Sequence, residues 1–355
     1  MKILLVQNSR IPIQTYDDAE RILWWLGKSL HLLGHEVSYL VKKGSSCPFA
    51  KIFIINDKKP LQEQLPEGFD VVHFHCQPTA TPSVPYLVTQ HRNAADDSAL
   101  DPNTVFLSRN QARRHGGKVY VHPGIDFADY GQPDWAARRM FFHFLGNAAW
   151  SGKNVRGAIE VAGQAGARLH VIGGSRVNFR KGLRITLSPH VRFHGVLSND
   201  GRNMLLNQSK GLIFPALWAE PFGLSVIESL YFGCPVFGTP YGALPELLGK
   251  RETPSRVHVG QDSAKAEAWN GQVEAFYSEL GCLSVKRTEI VEAVKNADAY
   301  DRRHCHAYAR EHFSAEKMAL KYVELYEKVI RGEALHTQPV VPTAMAGDQF
   351  MPFGN

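Results

Sequence analysis

The chain's 355 residues exceed what one hydrophobic core usually organises and suit two domains of ordinary size. Hydrophobic residues at 44% and charged residues at 21% are globular values that exclude a disordered or collagen-like chain, and no apolar run reaches the ~18 residues of a membrane-spanning helix. A net charge of +6 draws anionic partners such as phosphates or leaflet headgroups, while the lack of polybasic clusters argues against nucleic acid.

The opening "MKILLVQNSR" lacks the long apolar stretch and small-residue cleavage site of a signal peptide and reads as a first strand. Acidic Asp17, Asp18 and Glu20 then mark the first turn of a helix that ends before Gly34 and turns Ile22, Leu26, Leu30 and Leu33 to the core. Trp24 and Trp25 point about 100° apart on that helix, so both cannot centre on one face. The runs "EVSYLV", "KIFIIN", "FDVVHFH", "YLVTQH", "TVFLS" and "KVYVHP" continue as strands of an open, mostly parallel sheet. A polar, irregular stretch over 126–139 reads as a linker.

The alternation then resumes. "MFFHFLG", a helix from about Asn154 to Gly163, "ARLHVIGG", "HVRFHG", a helix near Gly201 to Gln208, "GLIFPA" and "PVFGTP" predict a second doubly wound domain. "VEAFYSEL" and "AEKMALKYVELYEKVIRG" read as helices, and 336–355 as a tail. The fold class expected is α/β, with two Rossmann-like doubly wound domains facing a cleft and ligands beyond the carboxyl ends of the strands. The domains expected are 1–125, joined by the helix at about 316–332, and 140–315. Five scattered cysteines without a C-x-x-C pair argue for a reducing compartment, so the location expected is the cytoplasm, with peripheral contact at the inner membrane face added by the charge.

Two carboxylates stand out in "EPFGLSVIESLYFGCPVFG". Pro221 favours an extended Glu220 and a helix just after it, which puts Glu220 where free N–H groups and the helix dipole make an anion site. Glu228 lies inside that helix among Val226, Ile227, Leu230, Tyr231 and Phe232. An unpaired carboxylate there costs several kcal/mol or takes up a proton, so it needs a partner, and a ribose diol is one that need not come from the protein.

Glu, seven residues, Glu, with Pro-Phe-Gly-Leu after the first and Glu-Ser-Leu-Tyr-Phe-Gly-Cys-Pro-Val around the second, resembles the signature of glycosyltransferase family 4. So do "GHEV" (34–37), "DVVHFH" (70–75), "VTQH" (88–91), "HPGID" (122–126), "FLGNAAWSGKN" (144–154), "LHVIGG" (169–174), "VRFHGVLSND" (191–200) and "TPYGALPELL" (239–248), in the family's order over about 1–330. The resemblance implies a GT-B fold and a retaining, metal-independent enzyme that moves a sugar from a nucleoside diphosphate sugar to a hydroxyl of a saccharide or other acceptor. Glycan or lipopolysaccharide synthesis is the setting it suggests, with no cofactor.

Carried over residue by residue, Glu228 holds the donor ribose and Glu220 the transferred sugar, with Phe222, Gly223 and Leu224 beside it. Lys153 neutralises the diphosphate, supported by the helix start near Asn154, and Gly146, Asn147 and Val196 complete the donor side. His91 matches a histidine near the reacting centre, and Asp17, Asp18, His75 and Arg92 fall on the acceptor side. His73 and His75 alternate on one strand face, but no carboxylate or cysteine of ligand spacing joins them, so no metal is expected. Two departures stand: Asn147 replaces the family's usual Arg, and Asp17–Asp18 its usual Gly-Gly pair, where carboxylates would repel a phosphate. They leave a noncatalytic sugar-nucleotide binder as an alternative, and a GT-B sugar-nucleotide epimerase as another.

Overall fold

The computed structural model describes residues 1–12, 18–78, 80–94, 96, 98–178, 184–185, 188–249, 268–269, 272–273, 275–338, 340–342 and 350–354. They divide into two α/β units, Met1–Asp126 with Phe313–Asp348 and Phe127–His312 with Gln349–Asn355.

The first unit begins with β1 (Lys2–Val6), α1 (Asp18–Leu32), β2 (Glu36–Val41), β3 (Lys51–Ile54), β4 (Val71–Phe74), β5 (Tyr86–Gln90), β6 (Thr104–Phe106) and α2 (Arg109–Arg114). The six strands form one sheet in the order β3-β2-β1-β4-β5-β6, parallel at every pairing. Ile3, Leu4, Leu5 and Val6 are all fully buried, as expected of a parallel strand covered on both faces. Trp25 is buried in α1, while Trp24 is half-buried with its ring 5.1 Å from that of Phe49. Only Tyr120 of "KVYVHP" bridges to the sheet, at Phe106, so that run is not a seventh strand.

The second unit contains β7 (Phe141–Leu145), α3 (Val155–Gln164), β8 (Leu169–Ile172), β9 (Val177–Asn178), β10 (Arg184–Ile185), β11 (Val191–Phe193), α4 (Asn199–Asn207) and β12 (Ser209–Phe214). It continues with α5 (Leu224–Tyr231), β13 (Val236–Gly238), α6 (Leu244–Leu247), β14 (Ala268–Trp269), β15 (Gln272–Val273), β16 (Ala275–Ser278), β17 (Gly281–Ser284), α7 (Arg287–Lys295) and α8 (Arg302–His312). Its main sheet runs β11-β8-β7-β12-β13-β17-β16, parallel except for β16. Here the reading of "VEAFYSEL" as a helix is corrected. Ala275–Ser278 is an antiparallel strand, because Glu279 and Leu280 turn the chain straight back into β17 and all four residues are buried.

The stretch 126–139 folds into the second unit from Phe127 onward. Tyr130 is 4% exposed, and the Arg139 guanidinium donates to the carbonyls of Leu206, Ser209 and Phe232. The chain then returns to the first unit as α9 (Ala315–Ile330), which packs on α1 and β5. The described parts of the tail are tied down as well: Val340 bridges to Leu100 in the first unit and Gly354 to Lys286 in the second.

Candidate active site

Two loops at the carboxyl ends of neighbouring parallel strands build a charged site in the second unit. After β7 the chain turns at Gly146, whose φ of 152° suits only glycine, and then folds through a tight turn and a 3-10 turn at Ser151–Lys153. Asn147 Oδ1 accepts from the Ala149 amide at 3.0 Å, so this side chain shapes its own turn. Asn154, left-handed at φ 54°, caps α3 by accepting from the Gly157 amide, and its Nδ2 donates to the Pro215 carbonyl at 2.9 Å. The Leu217 amide in turn donates to the Gly152 carbonyl at 2.8 Å, which joins the loop after β12 to the loop after β7.

This lacing brings together Lys153 and Glu220, 67 residues apart. The Lys153 ammonium contacts Glu220 Oε1, and the indole Nε1–H of Trp218 donates to the same oxygen at 2.6 Å. The Glu220 side chain is 4% exposed and that of Lys153 17%. Lys153 Nζ also lies 5.0 Å from the Phe214 ring centroid, 5.6 Å from Trp218 and 5.8 Å from Trp150, a cage of π faces that favours a cation. The Glu220 carbonyl accepts from the Ala243 amide at 2.9 Å. Gly242 passes so close that a Cβ there would stand 2.2 Å from the Glu220 nitrogen. Just downstream, Gly223 at φ 117° is the N-cap of α5, and the Phe222 and Leu224 side chains are buried, so this segment offers a ligand backbone rather than side chains. Val196 lies apart from this cluster by sequence, in the loop after β11, and is 67% exposed.

Glu228 corrects the expectation of a carboxylate whose partner comes from outside. Tyr130 OH donates to its Oε1 at 2.6 Å, and Arg202 Nη1 stands 3.2 Å from the same oxygen, with both charged side chains 2% exposed. The Arg202 guanidinium also lies 5.0 Å over the Tyr130 ring, and Asn203 Nδ2 donates to the Tyr130 carbonyl at 3.0 Å. Sequence reasoning missed Arg202 and Tyr130. For Arg202 a signal existed, since it lies three and four residues before the buried Leu205 and Leu206 on the inner face of α4. For Tyr130, in a stretch read as a linker, none did.

A second buried polar group lies nearby in β7. His143 bonds Ser209 Oγ at 2.7 Å and Ser229 Oγ at 2.8 Å. Burial above all, with Arg139 adding and Glu228 opposing, pushes its pKa down to about 3.

In the first unit, β4 and β5 bring His75 and His91 together, Nδ1 to Nε2 at 2.8 Å, with rings stacked at 5.0 Å. His73 is fully buried, bonded to Thr89 at 2.7 Å and to Tyr326 of α9 at 2.8 Å. Burial first, then the neighbouring imidazoles, hold His73 and His75 well below the ordinary histidine pKa, so both are neutral. Arg92 is exposed, and its carbonyl accepts from Gln90 and Gln111. Asp18 is the exposed first residue of α1, 3.8 Å from Arg21, whereas Asp17 lies outside the described residues. Among the described residues no group of three or more His, Cys, Asp or Glu is arranged to hold a metal. Among the described residues no helix is long and apolar enough to cross a membrane.

Several solved structures with similar folds are glycosyltransferases by name. AviGT4, a glycosyltransferase involved in avilamycin A biosynthesis, superposes with a TM-score of 0.68 at 21% identity over 93% of this chain and 98% of its own. HepE of Anabaena in complex with UDP-glucose does so at 0.63 and 14% identity, over 92% of this chain and all of its own. The fold is therefore that of the GT-B enzymes. Residues 132–296 match the family described as "Glycosyl transferases group 1". The "Serotype-specific mannosyltransferase WbdA" of Escherichia coli is 34% identical over 88 residues, 25% of this chain, and the match spans 11% of WbdA's length. Family match and fold together support a glycosyltransferase.

Proposed function

We propose that the protein is a retaining glycosyltransferase of family 4 that moves a hexose from a nucleoside diphosphate sugar to a hydroxyl acceptor in glycan synthesis. The observation that carries this reading is the Lys153–Glu220 pair, assembled from two loops beyond the carboxyl ends of β7 and β12. Lys153 is shared between Glu220 and the departing diphosphate, where its charge stabilises what develops on the leaving oxygen. Glu220 accepts hydrogen bonds from the sugar hydroxyls and orients the ring rather than acting as a strong base. Glu228, fixed by its contact with Arg202, presents its carboxyl group to the ribose diol. His91, steadied by His75, serves at the reacting centre. The reaction needs no metal or other cofactor. The UDP-glucose bound to HepE and the mannosyltransferase name of WbdA support a nucleotide sugar donor and a hexosyl group. The working location is the cytoplasm, at the inner membrane face.

A thermal-shift panel of UDP, GDP, ADP and their sugars tests the donor site, since a ligand at about 100 times its dissociation constant stabilises by about 2.7 kcal/mol. Glu220→Gln should then lower acceptor-dependent nucleoside diphosphate release while leaving nucleotide affinity nearly intact. An equal loss of both contradicts the assignment.

A further inference from the structure

Two tryptophans flank the Lys153–Glu220 pair, and caging the Lys153 ammonium still leaves both of them partly exposed. Trp150 and Trp218 meet edge to face, with centroids 4.4 Å apart and planes at 81°, and each is only half-buried. They form an L-shaped aromatic corner. Both are held in place. The Trp150 indole lies over Gly152 so closely that a Cβ there would come within 2.7 Å of its ring, and Trp218 is fixed by its hydrogen bond to Glu220.

The polar groups at the corner are equally specific. Lys153 and Trp218 both act on Glu220 Oε1, and Oε2 accepts from none of the described residues, although the side chain is 4% exposed. An indole face, a second indole edge and an open carboxylate oxygen match a pyranose ring: C–H groups gather on one of its faces, and neighbouring hydroxyls donate from its rim. A nucleobase would use the indoles but offers fewer donors to a carboxylate beside an ammonium.

We propose that Trp150 and Trp218 form a stacking corner for the transferred pyranose, with Glu220 Oε2 taking its hydroxyls, so that these two residues set the donor sugar preference. The proposal rests on the donor-site reading above for its place in the reaction, but its first test does not. In 15N–1H spectra of the whole protein, the indole signals of Trp150 and Trp218, assigned with Trp150→Phe and Trp218→Phe, are followed while methyl α-D-mannopyranoside and methyl α-D-glucopyranoside are added, with the open-chain polyol sorbitol as control. Both indoles should shift with at least one pyranoside and stay put with sorbitol; if neither pyranoside moves them, the corner is not a sugar site. The second test compares each nucleotide sugar with its own nucleoside diphosphate by calorimetry. Trp150→Ala and Trp218→Leu should weaken the sugar nucleotide by about 3- to 10-fold, the range of an aromatic stacking contact, and the nucleoside diphosphate hardly at all. Equal weakening of both would mean the corner holds the base and would overturn the proposal. A panel in which no nucleotide binds, but pyranosides still shift the indoles, would fault the donor-site reading and keep the sugar site.

Discussion

Replacing Glu228 by Gln tests whether its carboxylate is built into the second unit or kept for a ligand. At 3.2 Å and an effective dielectric of about 20, the attraction to Arg202 is roughly 5 kcal/mol, and each ion gave up several kcal/mol of hydration on burial. The intact pair is thus close to neutral for stability, but the variant is not. It removes the carboxylate that faces the Arg202 guanidinium, 2% exposed, and breaking such a buried pair costs about 3–5 kcal/mol. For a unit of this size that lowers the melting temperature by roughly 6–20 °C. Arg202→Met should cost less than Glu228→Gln, because Glu228 keeps the Tyr130 hydroxyl and can take up a proton. In the double variant most of the loss should be recovered, a coupling that a double-mutant cycle reads from urea unfolding. The reasoning fails if Glu228→Gln unfolds at the wild-type urea concentration, whatever happens to nucleotide affinity.

Gly242→Ala would force a side chain onto a residue at φ 65° and push its Cβ to within 2.2 Å of the Glu220 nitrogen. The left-handed conformation alone costs about 1–2 kcal/mol. Displacement of Glu220 should add roughly a tenfold or greater fall in turnover. Activity measured at a temperature well below the melting point separates the two effects, and unchanged turnover would show that the Gly242 contact does not position Glu220. His143 makes stability depend on pH. Its folded pKa of about 3 lies below the ordinary 6.5, so the unfolded chain binds the proton first. Its neutral burial therefore carries no penalty above pH 6.5, and stability falls as pH drops from there toward 3, by about 2 kcal/mol at pH 5 relative to pH 7. His143→Gln should flatten the urea midpoint over this window; an unchanged slope would assign the acid sensitivity to other groups.

The sequence by itself determined the α/β class, all six strands of the first sheet, five of the seven in the second and the helix after Glu220, because buried parallel strands are written as continuous apolar runs bounded by Gly and Pro. It also marked Glu220 and Glu228, since charge in apolar text needs a reason, whereas Lys153 was marked by the family resemblance alone. It misread Ala275–Ser278, where four residues followed by a two-residue turn cannot be told from a helix by period alone. Only the tertiary structure decided who meets whom. Lys153 reaches Glu220 because Asn154 and Gly152 tie two loops together across β7 and β12. Glu228 meets an arginine 26 residues upstream and accepts from a tyrosine hydroxyl 98 residues upstream, and the two indoles at the Glu220 corner turn perpendicular. Such pairings depend on the distance between strand ends in a folded sheet, and a one-dimensional pattern of polarity carries no record of it.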